Sequence, residues 1–105
     1  MIDECRIRAI RAIREVVVQI VELIKSEDFQ NERAERIARA IAERIAELRP
    51  ELLAHLFGGR VPEDRATIIS RVARAMESFD WDVLRHRDVE YIVPRIMEKL
   101  QTLGQ

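Results

Sequence analysis

The stretch CRIRAIRAIREVVVQIVELIK, residues 5–25, decides the fold. Its apolar side chains recur with the period of a helix, and it is far longer than a typical strand. The β-branched run Val16–Val18 therefore stays within one helix, which we expect to begin near a cap at Asp3 and to end at about Lys25. Its apolar residues share one wide face: Cys5, Ala9, Ile13, Val16, Val17, Ile20, Leu23 and Ile24.

The opposite side of this helix is polar but not uniformly so. Arg8, Arg11, Glu15 and Glu22 define it, with Glu4–Arg8 and Arg11–Glu15 spaced as favourable i,i+4 pairs. Ile7 and Val18 fall on the same polar side, where a simple surface helix carries no large apolar residue. The pattern therefore predicts a central helix that is apolar over more than half of its circumference.

Two further helices are predicted in the middle of the chain. The first begins at Asn31 and ends near Leu48, with an apolar stripe rich in alanine and with the ion pairs Glu32–Arg36 and Glu35–Arg39 outside it. The second is the short segment PELLAHLF, residues 50–57, because Pro50 suits a first helical turn and Gly58-Gly59 accepts a left-handed end.

The remainder of the chain predicts two more helices. One opens at Pro62 and continues through PEDRATIISRVARAMESF, after which Asp80 or Asp82 caps a short turn. The other is capped by Asp88, kinks at Pro94 and ends at Gly104. Its stripe is the cleanest in the sequence: Val89, Ile92, Val93, Ile96, Leu100 and Leu103.

These segments predict an all-α fold, a compact bundle of about five helices, one of them short, in a single domain over residues 1–105. The composition agrees, since 48% of the 105 residues are hydrophobic and 35% are charged. The formal net charge is -1, so no overall field attracts the chain to nucleic acid or to an anionic membrane. All but two of the 18 basic residues are arginine, the exceptions being Lys25 and Lys99.

The side-chain inventory excludes most kinds of site. The single cysteine, Cys5, allows no internal disulfide and is expected as an inert thiol in the core. Glu51 and His55 form an i,i+4 pair, but no second pair supports a metal site. No phosphate-binding loop, signal peptide or membrane span is recognisable. We therefore expect no cofactor, no metal, no small-molecule substrate and no membrane association, and a cytoplasmic location.

One spacing resembles a catalytic signature. Arg49 and His55, with five residues between them at the start of a helix, resemble the Arg-x4–6-His motif of HEPN-type ribonucleases. The resemblance implies an Arg and a His that face each other across a dimer and handle the scissile phosphate. It covers seven residues, and Pro50 stands where that family usually has a polar residue.

The leading hypothesis for function is a non-enzymatic association module, either a homodimer or a small subunit of a larger assembly. The apolar residues outside the main stripe of the first helix motivate it, because such a face suits a symmetric partner. Aromatic residues at helix ends either lock corners of the bundle or, as Phe79 and Trp81, anchor a partner. The predicted interface residues are Ile7, Val18, Val21, Phe79 and Trp81.

The alternative is a small arginine-rich subunit that lies along a nucleic-acid backbone. It would resemble the small subunits of CRISPR effector complexes in size and helicity. The arginines expected to carry phosphates are Arg8, Arg11, Arg71 and Arg74, and Arg85-His86-Arg87 is a second basic cluster. A steep loss of affinity with salt would distinguish this hypothesis from the first.

Overall fold

The computed structural model describes residues 4–104 and shows an all-α protein. Within this range the chain forms six α-helices and two 3₁₀ turns, and it has no strand. The predicted bundle is thus confirmed, with the segment after Asp80 as one additional short helix. The helices are α1 (Glu4–Ile24), α2 (Ala34–Ala46), α3 (Pro50–Leu56), α4 (Arg65–Met76), α5 (Trp81–Leu84) and α6 (Val89–Leu100), and the 3₁₀ turns are Glu27–Phe29 and Gln101–Gly104.

Helix α1 packs along one side against four other elements, and its opposite side is exposed. It contacts α6 most extensively and also packs against α2, α3 and the 3₁₀ turn Glu27–Phe29. Its buried side chains lie between Ala9 and Ile24, and Ile13, Val17 and Ile20 are among those that it contributes to the core. The expectation that Cys5 is buried in the core is wrong, because this residue lies in the first turn of α1 and is exposed. The proposed cap at Asp3 lies outside the described residues.

The most extensive contact between two helices is that of α2 with α4. Ala38 and Ala42 of α2 are fully buried, and their small side chains let the α4 backbone approach. Helix α2 begins at Ala34 rather than Asn31, after the 3₁₀ turn. Helix α4 begins at Arg65 rather than Pro62, because the Asp64 carboxylate caps it and accepts a hydrogen bond from the Ala66 amide at 3.2 Å.

Two glycines end α3 as predicted. Gly58 and Gly59 have φ angles of 61° and 83°, and the Gly59 amide donates to the Ala54 carbonyl at 2.9 Å. Helix α6 continues through Pro94, which is exposed. The 3₁₀ turn Gln101–Gly104 that follows α6 packs against α3, α4 and α6 and places Leu103 in the core.

Candidate functional site

Two of the five predicted interface residues belong to the core instead. Val21 is 0% exposed, because α1 is covered on that side by its neighbours. Trp81 is 1% exposed, and its indole Nε1 donates to the Met76 carbonyl at 2.8 Å. Because the indole N–H has this acceptor within the protein, Trp81 does not need to lie at the surface. Neither residue contributes to an exposed surface.

The other three predicted interface residues remain accessible to different degrees. Ile7 is 37% exposed, whereas Val18 and Phe79 are half-buried at the edge of the core. Phe79 packs edge-on against Trp81, with 5.6 Å between the ring centroids. This contact fits the predicted role of the aromatic residues in packing the corners of the bundle. Ile7 and Val18 are therefore the apolar residues that α1 leaves accessible on its outer side.

Ile7 and Val18 belong to a continuous strip that we call the α1 outer face. It consists of Ile7, Arg11, Arg14, Glu15, Val18, Gln19 and Glu22, which fall on one side of a helix. The last six form a continuous open surface along one helix. All of them except Val18 are exposed.

The charges of the α1 outer face have no carboxylate or cation partner within the described chain. The i,i+4 pairs expected for Glu4–Arg8 and Arg11–Glu15 do not form at ion-pair distance between residues 4 and 104. The ion pairs that do form lie elsewhere, and they include Glu32–Arg36 at 3.5 Å as predicted. Arg39 pairs with Glu43 at 3.0 Å rather than with Glu35.

The four arginines of the nucleic-acid hypothesis do not form one strip. Arg8 and Arg11 lie on α1, whereas Arg71 and Arg74 lie on α4, which packs chiefly on α2. Arg71 has a structural role, because its guanidinium stands 4.9 Å from the centroid of the Phe57 ring and donates to the Leu103 carbonyl at 2.8 Å. It fastens the 3₁₀ turn Gln101–Gly104 to the bundle.

A different set of cations meets where the α1–α2 connection packs beside the α5–α6 connection. Lys25 Nζ donates to the Arg87 carbonyl at 2.6 Å, and Arg85 Nη2 donates to the carbonyls of Phe29 at 3.3 Å and Glu32 at 2.5 Å. These bonds join residues that are 53 to 62 positions apart in the sequence. An open cleft of about 330 Å³ lies there, and its charged and titratable lining residues are Lys25, Glu27, Arg85 and His86.

Beside this junction, the ring of Tyr91 on α6 packs against two arginines. The guanidinium carbon of Arg87 lies 3.9 Å from the centroid of the Tyr91 ring, and that of Arg95 lies 3.4 Å from it. We call Lys25, Arg85, Arg87, Tyr91 and Arg95 the basic patch. Sequence reasoning found only the cluster at residues 85–87. The i, i+4 and i+8 spacing of Arg87, Tyr91 and Arg95 indicates that the two arginines can stack on the tyrosine ring, and it could have identified these residues from the sequence.

The structure does not bring Arg49 and His55 together within one chain. Arg49 precedes α3 and its Nε lies 3.7 Å from Glu51 Oε1, whereas His55 occupies the last turn of α3. Six positions correspond to about 9 Å along a helix and to different sides of it. Both residues are exposed. Among residues 4–104, no three His, Cys, Asp or Glu side chains are grouped so that they could hold a metal ion.

No protein-family model matches the chain, and neither a curated protein nor a solved structure is detectably similar to it. The helices of the described residues are all too short or too polar to cross a bilayer.

Proposed function

We propose that the chain is a non-enzymatic association module that forms an antiparallel homodimer through the α1 outer face. One observation carries the proposal: the exposed charges of this face are separated along the helix. Within the strip from Ile7 to Glu22, Arg11 and Arg14 occupy the first half, Glu15 and Glu22 occupy the second half, and Val18 lies between Glu15 and Glu22. Arg8 lies at the edge of the same side and adds to the positive half, whereas Glu4 precedes the strip and partly offsets it. A face of this kind is complementary to itself when it is turned end for end.

The orientation follows from the signs of the charges. In a parallel pair, Arg11 and Arg14 would meet the same arginines of the second copy. In an antiparallel pair whose two-fold axis passes midway between Arg14 and Gln19, Arg11 lies opposite Glu22 of the second copy. The same register brings the two Val18 side chains within about one helical turn of each other.

The balance of forces predicts a weak dimer that depends on salt. The face offers only Ile7 and Val18 as large apolar residues, so hydrophobic burial contributes little. Ion pairs between exposed side chains contribute about 0.5 kcal/mol each and are screened by salt. We therefore expect association in the micromolar range or weaker, favoured at low ionic strength.

The substitution Val18→Glu tests the proposal, because it places a carboxylate beside Glu15 and Glu22 at the centre of the face. Sedimentation velocity over a range of concentrations should show the parent chain passing from monomer to dimer. The variant should remain monomeric while its circular dichroism keeps the helical spectrum of the parent.

Val83→Glu is the matched control, since Val83 is 62% exposed on α5 and lies outside the α1 outer face. It should dimerise like the parent. A parent chain that stays monomeric at the highest concentration and lowest salt would refute the homodimer. Equal dissociation by the two variants would show that the effect is not specific to α1.

A further inference from the structure

The basic patch contains four cationic side chains that form no ion pair within the described chain. Of the ion pairs formed between residues 4 and 104, none includes Lys25, Arg85, Arg87 or Arg95. The hydrogen-bond partners of Lys25, Arg85 and Arg95 are main-chain carbonyl oxygens, which carry no net charge. Four cations thus lie in one region without an ion-pair partner among the described residues, and Glu27, which lines the same cleft, forms no ion pair with them.

The tyrosine ring holds two of these cations in a fixed relation. Arg87 precedes Tyr91 by four residues and Arg95 follows it by four, and each guanidinium carbon lies within 4 Å of the ring centroid. One face of a ring accommodates only one guanidinium at such a distance, so the two groups lie on opposite faces. Stacking covers the flat side of a guanidinium and leaves donors along its edge for an anion.

The other two cations are also held in place by the fold. Lys25 reaches from the end of α1 to the Arg87 carbonyl, and Arg85 clamps the loop at Phe29 and Glu32. An anion that binds here therefore meets groups already ordered, and little side-chain entropy remains to be lost. Asp88 and Glu90 lie in the same part of the sequence, and they limit the net charge of the region without pairing with these four cations.

We propose that the basic patch binds the phosphodiester backbone of nucleic acid. A protein partner would need an apolar or aromatic anchor at the centre of the contact, and both faces of Tyr91 are occupied by arginine. Backbone binding needs only positioned cations, and Arg forms bidentate hydrogen bonds with phosphate. Since Tyr91 has no ring face left for stacking on bases, the binding is expected to be independent of sequence.

The test is fluorescence anisotropy with the full chain and a labelled oligouridylate of about 16 nucleotides. If the four cations each neutralise one phosphate, the log–log dependence of affinity on salt has a slope of about −3, which is about 50-fold between 50 and 200 mM salt. An oligothymidylate of the same length should bind equally well, because neither the bases nor the 2′-hydroxyls are read.

The double substitution Arg87→Gln/Arg95→Gln should weaken binding by about tenfold and reduce the slope by about half. The matched control is Arg36→Gln/Arg39→Gln on α2, which changes the net charge equally but removes arginines paired with Glu32 and Glu43. The control should bind like the parent. Circular dichroism of both variants should match the parent, since all four arginines are exposed.

Four results would overturn the proposal. These are absence of binding at low salt, binding that does not respond to salt, equal losses in the two double variants, and displacement of the oligonucleotide by poly-glutamate as efficiently as by unlabelled oligouridylate. The last result would assign the patch to an acidic protein. The test is independent of the homodimer, because Val18→Glu should bind the oligonucleotide whether or not the parent chain dimerises.

Discussion

Gly104 shows how one missing side chain fixes the path of the chain. A Cβ atom at this position would lie 2.8 Å from the Gly58 nitrogen and 3.0 Å from the Phe57 carbonyl carbon, both of them main-chain atoms. The 3₁₀ turn Gln101–Gly104 can therefore dock on the end of α3 only with glycine there. Arg71, which donates to the Leu103 carbonyl, secures the same contact.

We predict that Gly104→Ala lowers the free energy of unfolding by about 1–2 kcal/mol, because main-chain atoms must shift to admit the methyl group. Urea unfolding followed by circular dichroism measures the change. Gln101→Ala is the control, since Gln101 is exposed in the same turn and its loss should leave the stability nearly unchanged. A Gly104→Ala variant as stable as the parent would show that this contact contributes nothing.

Trp81 illustrates the limit of sequence reasoning about a single residue. Its position at a helix end fits both a corner of the core and an anchor for a partner. The choice depends on whether its indole N–H finds an acceptor inside, and the Met76 carbonyl provides one. That carbonyl lies only five positions away, but its availability follows from how α4 ends and how α5 packs.

At the scale of the element, α6 combines a clean apolar stripe with an internal proline. Ile92, Val93 and Ile96 are buried, and Pro94 faces outward. Pro94 has no N–H to donate to the Glu90 carbonyl, and water can satisfy that carbonyl on an exposed face. The apolar stripe thus stabilises a helix that its own backbone disfavours.

Pro94→Ala is expected to stabilise the protein, because it restores the hydrogen bond to Glu90 and removes the steric conflict with the preceding turn. The expected gain is about 1 kcal/mol or more, seen as a rise of about 4–8 °C in the thermal midpoint. Glu98→Ala, also exposed on α6, controls for helix propensity and should change the midpoint much less. A lower midpoint for Pro94→Ala would mean that the restriction of the unfolded chain by proline is the larger effect.

At the scale of the whole molecule, a net charge of -1 conceals a separation of charge. The α1 outer face carries arginine in one half and glutamate in the other, and the basic patch lies where α1 ends and α6 begins. The interactions that we propose for the two surfaces therefore depend on local fields rather than on the total charge.

A charge swap tests the antiparallel arrangement of the proposed dimer. Arg11→Glu should weaken dimerisation, because it would face Glu22 of the second copy. Adding Glu22→Arg should restore dimerisation, since both symmetry-related pairs regain opposite charges. Sedimentation velocity at low salt measures each step. A double variant that remains monomeric would contradict this register while leaving the fold unaffected.

Much of the fold could be predicted from the sequence, because the formation of a helix and the choice of its buried side depend on residues close together in the sequence. Residues at i, i+3 and i+4 share a face, so the stripes Ile37–Ile41–Ile45 and Ile92–Ile96–Leu100 already indicate which sides are buried. Gly58-Gly59 and the boundary at Asp88 are local signals of the same kind. The glycines end α3 as predicted, and α6 begins after Asp88, although the Asp88 carboxylate accepts no capping hydrogen bond. The sequence by itself thus determined the helices, their order and most of their buried sides.

Only the tertiary structure decided which remaining side chains are covered. Val21 is buried on the side of α1 that packs against its neighbours, whereas Cys5, in the first turn of the same helix, is exposed. The contact of Lys25 with the Arg87 carbonyl joins positions 62 residues apart, which no local pattern encodes. Which side chains are exposed, and which charged residues come together, depends on how distant segments pack against each other. The exposed charges on which both proposals rest are therefore defined only in the folded chain.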